Sequence, residues 1–182
     1  MKELSLHVLD IVQNSISAGA SLVEINISED REKDMLTIEI KDNGRGMDEQ
    51  TLKKVQDPFF TTRTTRRVGL GIPLFSQAAK MCGGDFSISS RPGEGTIVKA
   101  GFVWSHIDRA PLGSMADTVV SLVAANPEVD FVYRHRIGEN EFVFDTREVK
   151  ETLQDVPVNH PAVLDWIKRY VEESLKEING GV

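Results

Sequence analysis

The chain has a single cysteine, Cys82, which rules out an intramolecular disulfide and a thiolate cage for zinc. No apolar run approaches the roughly 18 residues needed to cross a bilayer. The N-terminal stretch MKELSLHVLDIVQNS sets acidic and polar residues inside its apolar pattern and offers no small-residue cleavage site, so it does not read as a signal peptide. Basic residues are in deficit: 21 Lys and Arg stand against 28 Asp and Glu, a formal charge of −7. A general nucleic-acid-binding surface needs clustered cations to displace counterions, so none is expected. There is no internal repeat and no low-complexity tract. The expectation is a protein of the reducing cytoplasm, with no membrane and no nucleic-acid partner.

What is present is an ordinary globular composition, 40% hydrophobic and 27% charged over 182 residues. That length suits one domain, or a domain of about 100 residues with an appendage. The charge favours the second arrangement. Residues 1–104 carry 13 basic and 14 acidic side chains, whereas residues 105–182 carry 8 and 14. The balances are −1 and −6, so the acidity belongs to the C-terminal part.

Hydrophobic periodicity predicts a helix over residues 4–17, with Leu9, Val12 and Ile16 at helical spacing and Leu6 and Val8 beside them. Alternating strands follow at 22–28 and 35–41, joined by a charged hairpin loop. A short helix at 48–55 has Asp48 as its candidate cap. The polar stretch 57–68 reads as a loop, and a helix from about 72 to 82 holds Pro73 in its first turn. Strands at 85–90 and 96–103 close this part near Trp104. The order predicts an α+β fold, a two-layer α/β sandwich with helices on one face of a mostly antiparallel sheet. Residues 105–182 predict a small appended α/β region: a helix at 115–125, a hairpin at 129–137 and 141–145, a helix opened by Thr146 and a last helix at 161–178. Phe131, Tyr133, Phe142 and Phe144 alternate as a half-buried hairpin should, and Trp166, Ile167, Tyr170, Val171 and Ile178 supply an apolar stripe. Arg134, His135 and Arg136 read as a solvated basic strand face.

Three motifs carry chemistry. Asp10 and Asn14 lie four residues apart on the first helix and share a face, as a metal-ligating and water-orienting pair would, or simply as the polar side of an amphipathic helix. Asp42-Asn43-Gly44-Arg45-Gly46-Met47 leaves a strand end. Its glycines permit close backbone approach, and Asp42 there would accept hydrogen bonds from an amino group. Gly69-Leu70-Gly71 opens a helix, where free amides and the helix dipole favour phosphate oxygens. No Gly-Lys-Ser/Thr follows, so it is not a P-loop, and no apolar strand precedes it, as a dinucleotide fingerprint would require.

In this order the sequence resembles the GHKL superfamily, the Bergerat-type ATP-binding fold shared by DNA gyrase, Hsp90, sensor histidine kinases and the mismatch-repair ATPase MutL. Asp10 to Ala20 resembles its N box, Asp42 to Met47 the G1 box, Asp57-Pro58-Phe59-Phe60 the F box of histidine kinases, Gly69 to Ile72 the G2 box, and Gly93-Glu94-Gly95-Thr96 the last glycine box. The resemblance implies an ATP-binding domain over residues 1–104 and leaves 105–182 as an extension of unknown function. It implies Mg2+ held by Asn14 and adenine read by Asp42, with Gly44, Gly46, Met47 and Thr96 around the base. Phosphates would lie against Gly69, Leu70, Gly71 and Ile72. Residues 57–68 would form a lid bringing Phe60, Thr61, Arg63, Arg66 or Arg67 to the nucleotide.

Hydrolytic members of the superfamily place Glu where this chain has Asp10. The shorter carboxylate remains a general base with reduced reach, so hydrolysis is expected to be slow. With the N box beginning within ten residues of Met1, a stand-alone form without the dimerising, phosphoaccepting hairpin of sensor kinases is expected. His7 is read as a helix-surface residue and Cys82 as a small buried one. The open readings are a protein kinase acting in trans or a slow ATPase, a nucleotide-gated module that docks a protein partner, and a MutL-like ATPase that forms a homodimer.

Overall fold

The computed structural model describes residues 2–57, 59 and 68–180, with the backbone alone at 68–70. Its helices are α1 (Leu4–Ser17), α2 (Glu49–Gln56), α3 (Val68–Met81), α4 (Met115–Ala125), α5 (Thr146–Leu153) and α6 (Pro161–Ile178). Its strands are β1 (Leu22–Asp30), β2 (Met35–Asp42), β3 (Phe86–Arg91), β4 (Gly95–Val103), β5 (Asp130–Ile137) and β6 (Asn140–Asp145). The strands form one six-stranded sheet in the order β3-β4-β2-β1-β5-β6. Every neighbouring pair is antiparallel except β1 and β5, which run parallel with Leu22 opposite Asp130 and Glu29 opposite Ile137. A parallel pair needs a crossover, and α4 lies in the connection that leads into β5. The strands of the C-terminal region therefore extend the sheet begun by the N-terminal one.

Register explains the core. Ile25 opposes Ile40 and Ile27 opposes Ile38, while Ile40 opposes Val98 and Ile38 opposes Ala100. All lie on one face of the sheet and are buried, together with Phe131, Tyr133, Phe142 and Phe144 from the added strands. Helix α1 meets α3 and α4, and α6 packs on α4 and on the β5–β6 hairpin.

Several local expectations shift. On α1 the buried face runs through Leu4, Val8, Ile11, Val12 and Ser15, whereas Leu6 is exposed and Leu9 and Ile16 are only partly covered. Apolar residues surround more than half of this helix, so packing rather than periodicity chooses the inner side. Asp48 caps α2 as expected, accepting from the Thr51 amide at 2.8 Å. Helix α3 begins at Val68, a turn earlier than predicted, so Pro73 sits inside it rather than in its first turn. Its missing amide removes one internal hydrogen bond near the start of the helix. The cap of α5 is Asp145, which accepts from the Arg147 amide at 2.9 Å. Thr146 instead turns its hydroxyl to the sheet, accepting from the Phe131 amide at 2.9 Å and donating to Asp130 at 3.2 Å. The buried stripe of α6 is Val163, Ile167 and Val171, which leaves Trp166 and Tyr170 on its exposed flank.

The two histidines read as surface groups are both interior. His135 lies opposite Ile27 on the covered face of the sheet. Its Nδ1 meets the Tyr133 hydroxyl at 2.6 Å and its Nε2 meets Glu29 Oε2 at 2.6 Å, while Trp104 donates to Glu29 Oε1 at 3.1 Å. Burial raises the Glu29 carboxyl, but these hydrogen bonds outweigh it and leave the group below its usual value. Arg134 and Arg136 point to the other face and pair with Glu24 and Glu141. Cys82 is buried, as expected.

His7 is 6% exposed and stacks on Phe75 of α3 with ring centroids 5.3 Å apart. Among the described residues its Nδ1 has no hydrogen-bond partner, and burial lowers its pKa to about 4. The unfolded chain therefore binds this proton first. Stability from neutral His7 is full above its unfolded pKa of 6.5 and is lost as pH falls toward the folded value of about 4. That amounts to as much as about 3 kcal/mol at 1.36 kcal/mol per pKa unit. Urea unfolding from pH 7.5 to 4 should show this extra loss in the wild type and not in His7→Phe. Parallel stability profiles for the two proteins would contradict the assignment.

Candidate functional site

The first helix, the turn after β2 and the start of α3 converge at one end of the sheet. Asp10 and Asn14 are both half-buried on the side of α1 that faces α3. Gly71 completes the contact. A Cβ there would stand 3.6 Å from the Asp10 Cβ and 3.7 Å from the Asn14 Nδ2, so a larger side chain would fill the space between the helices. Burial raises the Asp10 pKa, which makes its carboxylate a better proton acceptor than an exposed aspartate.

Asp42 ends β2 and is 8% exposed. Its Oδ2 accepts from the Ser15 hydroxyl at 2.6 Å and its Oδ1 from the Gly44 amide at 2.8 Å. Each oxygen keeps a further lone pair, so the oriented carboxylate still has accepting capacity. Thr96 lies directly opposite Asp42 in the β2–β4 ladder. Its hydroxyl shares a 2.8 Å hydrogen bond with Ser90, and the Ser90 oxygen also meets the Met47 amide at 2.8 Å and the Gly95 carbonyl at 3.0 Å. Ser90 thus ties the glycine turn to the β3–β4 hairpin. A cleft of about 310 Å3 lies here, lined in part by Asp42, Ser90, Gly95 and Thr96.

The turn itself is pinned on both sides. Asn43 Oδ1 accepts from the Ser21 and Leu22 amides, the Arg45 amide donates to the Ala18 carbonyl at 2.9 Å, and Gly93 donates to the Arg45 carbonyl at 2.7 Å. Gly46 holds φ +70, and a Cβ there would strike the Arg91 carbonyl. That position demands glycine both for its backbone angle and for close approach.

The structure therefore brings together Asp10, Asn14 and Gly71, and sets Asp42 with its bonded Gly44 opposite Thr96, which Ser90 joins to Met47, while Gly46 lies against the Arg91 carbonyl. Gly69 and Leu70 fall in the first turn of α3. Ile72 is 6% exposed, its side chain directed into the core. Phe60, Thr61, Arg63, Arg66 and Arg67 lie outside the described residues. Ser15 and Ser90, which orient the carboxylate and the threonine, escaped the sequence reading. The one available signal for Ser15 was a polar residue on the buried face of α1, spaced four from Ile11.

A family model described as "Histidine kinase-, DNA gyrase B-, and HSP90-like ATPase" matches residues 2–105. Sensor histidine kinase YxdK of Bacillus subtilis is 35% identical over 109 residues, covering 56% of this chain and 33% of that protein. Sensor protein kinase FleS of Pseudomonas aeruginosa is 36% identical over 110 residues, covering 60% and 27%. The chain spans a third or less of the length of the curated relatives compared. Among solved structures, the Aquifex aeolicus MutL ATPase domain complexed with ADP superposes with a TM-score of 0.53 at 17% identity, over 85% of this chain and 70% of that one. At that identity the likeness is one of fold. Covering 85% of the chain, it reaches beyond the segment that the family model matches.

Proposed function

This chain belongs to the histidine kinase-, DNA gyrase B- and HSP90-like ATPase family, and from that premise we propose that it binds Mg-ATP between α1, the Asp42–Met47 turn and the start of α3. The observation that carries the reading is the meeting of Asp10 and Asn14 on α1 with Gly71 on α3, beside a buried Asp42 whose carboxylate is already oriented. Asp42 accepts from the adenine amino group, and Gly44 and Gly46 let the base lie close to the backbone. Thr96, held by Ser90, completes the polar wall beneath it. Amides of the first turn of α3, residues 69–71, donate to phosphate oxygens, favoured by the helix dipole. Residues 1–104 form the nucleotide-binding portion and residues 105–182 the appended one.

Asn14 would hold Mg2+, which supplies positive charge to the phosphates. Among the described residues no group of three or more His, Cys, Asp or Glu is arranged to hold a metal ion, and Mg2+ bound with a nucleotide takes phosphate and water as its other ligands. Asp10, beside Asn14 and Gly71, would take a proton from an attacking water. Its raised pKa suits that task and its short side chain limits its reach, so hydrolysis is slow. The identity with sensor kinases supports a second reading, phosphate transfer to a separate protein.

γ-Labelled ATP distinguishes these outcomes. Label should appear slowly as free phosphate and not on this chain, where His7 and His135 are buried and only His106 and His160 are accessible. Stable acid-labile label on the chain itself would contradict it. Transfer only upon adding a second protein would select the kinase reading.

A further inference from the structure

An apolar cleft lies along β6, at the opposite edge of the sheet from β3 and β4. It measures about 610 Å3 and is lined by Val143, Phe144, Val149, Leu153, Trp166 and Tyr170 among others. Successive residues of a strand point to opposite faces, so Val143 and Phe144 can border one cleft only where it wraps the strand's free edge. β6 is that edge, the last strand of the sheet. Helices α5 and α6 supply the two walls.

The direction of the edge's main-chain groups follows from two hydrogen bonds of β5. The Phe131 amide donates toward the β6 side, to Thr146 Oγ1, and the Gly138 amide donates toward β1, to the Glu29 carbonyl. Odd-numbered residues of β5 therefore face β6. Their register partners Phe142 and Phe144 use their peptide groups in that ladder, and Glu141 and Val143 direct theirs outward. Among the described residues, no backbone hydrogen bond outside the ladder reaches residues 141–144. Edge strands are commonly protected by Lys or Pro, and Asn140–Asp145 contains neither. Val143, Trp166 and Tyr170 are 41%, 47% and 39% exposed, with Trp166 stacked on Tyr170 at 5.0 Å.

We propose that this cleft docks an extended, apolar, positively charged segment of a partner protein, which adds to the sheet as a strand beside β6. Main-chain groups of Glu141 and Val143 would give the pairing, and Trp166 and Tyr170 the apolar anchorage. Charge selects the occupant. The charged residues lining the cleft are Asp145, which Arg147 bridges at 2.8 Å, and Glu148, and residues 139–182 as a whole hold 10 acidic against 5 basic side chains. A second copy of this chain would set like charge against like, so a cationic segment fits better.

The test selects a displayed library of random dodecapeptides against the full chain. Enriched peptides should alternate β-branched or aromatic residues with Lys or Arg. Val143→Pro removes an outward amide that β5 does not use, so the fold is kept while enrichment falls at least tenfold. Trp166→Ala should weaken enrichment similarly, and Glu148→Lys should move the selected sequences away from Lys and Arg. Circular dichroism and melting temperature confirm folding of each variant. The proposal is overturned if no peptide is enriched, if acidic peptides are selected, or if folded Val143→Pro and Trp166→Ala both bind as the wild type does. It is also overturned if sedimentation shows a homodimer that Val143→Pro abolishes. ATP binding is measured separately and has no bearing on these outcomes.

Discussion

Asp42→Asn should bind Mg-ATP roughly 10- to 150-fold more weakly than the wild type, the range expected for losing a hydrogen bond to a charged group. The carboxylate now accepts from Ser15 and Gly44 at once. An amide in its place must keep its oxygen toward the Gly44 amide, which can only donate, and turn its NH2 toward Ser15, whose hydroxyl can reverse. The side chain then presents a donor where the adenine amino group also needs an acceptor. Folding should survive, since both internal contacts have a neutral replacement. Asn14→Ala should weaken binding from the phosphate side instead, and should abolish the difference in affinity between magnesium and EDTA that Asp42→Asn retains. Titration calorimetry of the three proteins checks both statements. Affinity equal to wild type in both variants would remove the assigned pocket.

Asp10→Asn should lower phosphate release by ~100- to 10,000-fold, the usual worth of a positioned general base, while ATP affinity stays within a few-fold. The carboxylate is half-buried between α1 and Gly71, and its raised pKa carries a pH signature. Activity requires the ionised form, so the rate should fall with decreasing pH at a higher pH than an ordinary aspartate would dictate. Asp10→Glu adds the missing methylene and should raise turnover rather than reduce it. Single-turnover phosphate release across pH for the three proteins measures this. An unchanged rate in Asp10→Asn would show that another group activates water.

The legible parts were those in which local sequence and packing agree. Helices α1, α4 and α6 span the residues that periodicity predicts, and Gly19 at φ +77 and Asn126-Pro127 end α1 and α4 regardless of context. The Asp42–Met47 turn was legible because Gly46 at φ +70 leaves little choice of residue. Long-range pairing was not. Nothing in residues 130–137 announces a parallel alignment with β1, and that alignment turns His135 from a solvated cation into a buried partner of Tyr133 and Glu29. His7 was misread for a related reason: a polar residue on a helix looks exposed until another helix brings Phe75 over it. Within the candidate site, charged and glycine residues at motif spacing stood out. Ser15 and Ser90 did not, because a serine's role depends on which carboxylate or hydroxyl the fold sets beside it.

The most direct measurement is a backbone amide NMR titration of the wild-type chain with Mg-ATP. Saturable shifts should gather at Asp10, Asn14, Asp42, Gly44, Met47, Gly71 and Thr96, and leave the β6 cleft around Val143 and Trp166 unmoved. No shifts at millimolar nucleotide, or shifts confined to the β6 cleft, would contradict the account.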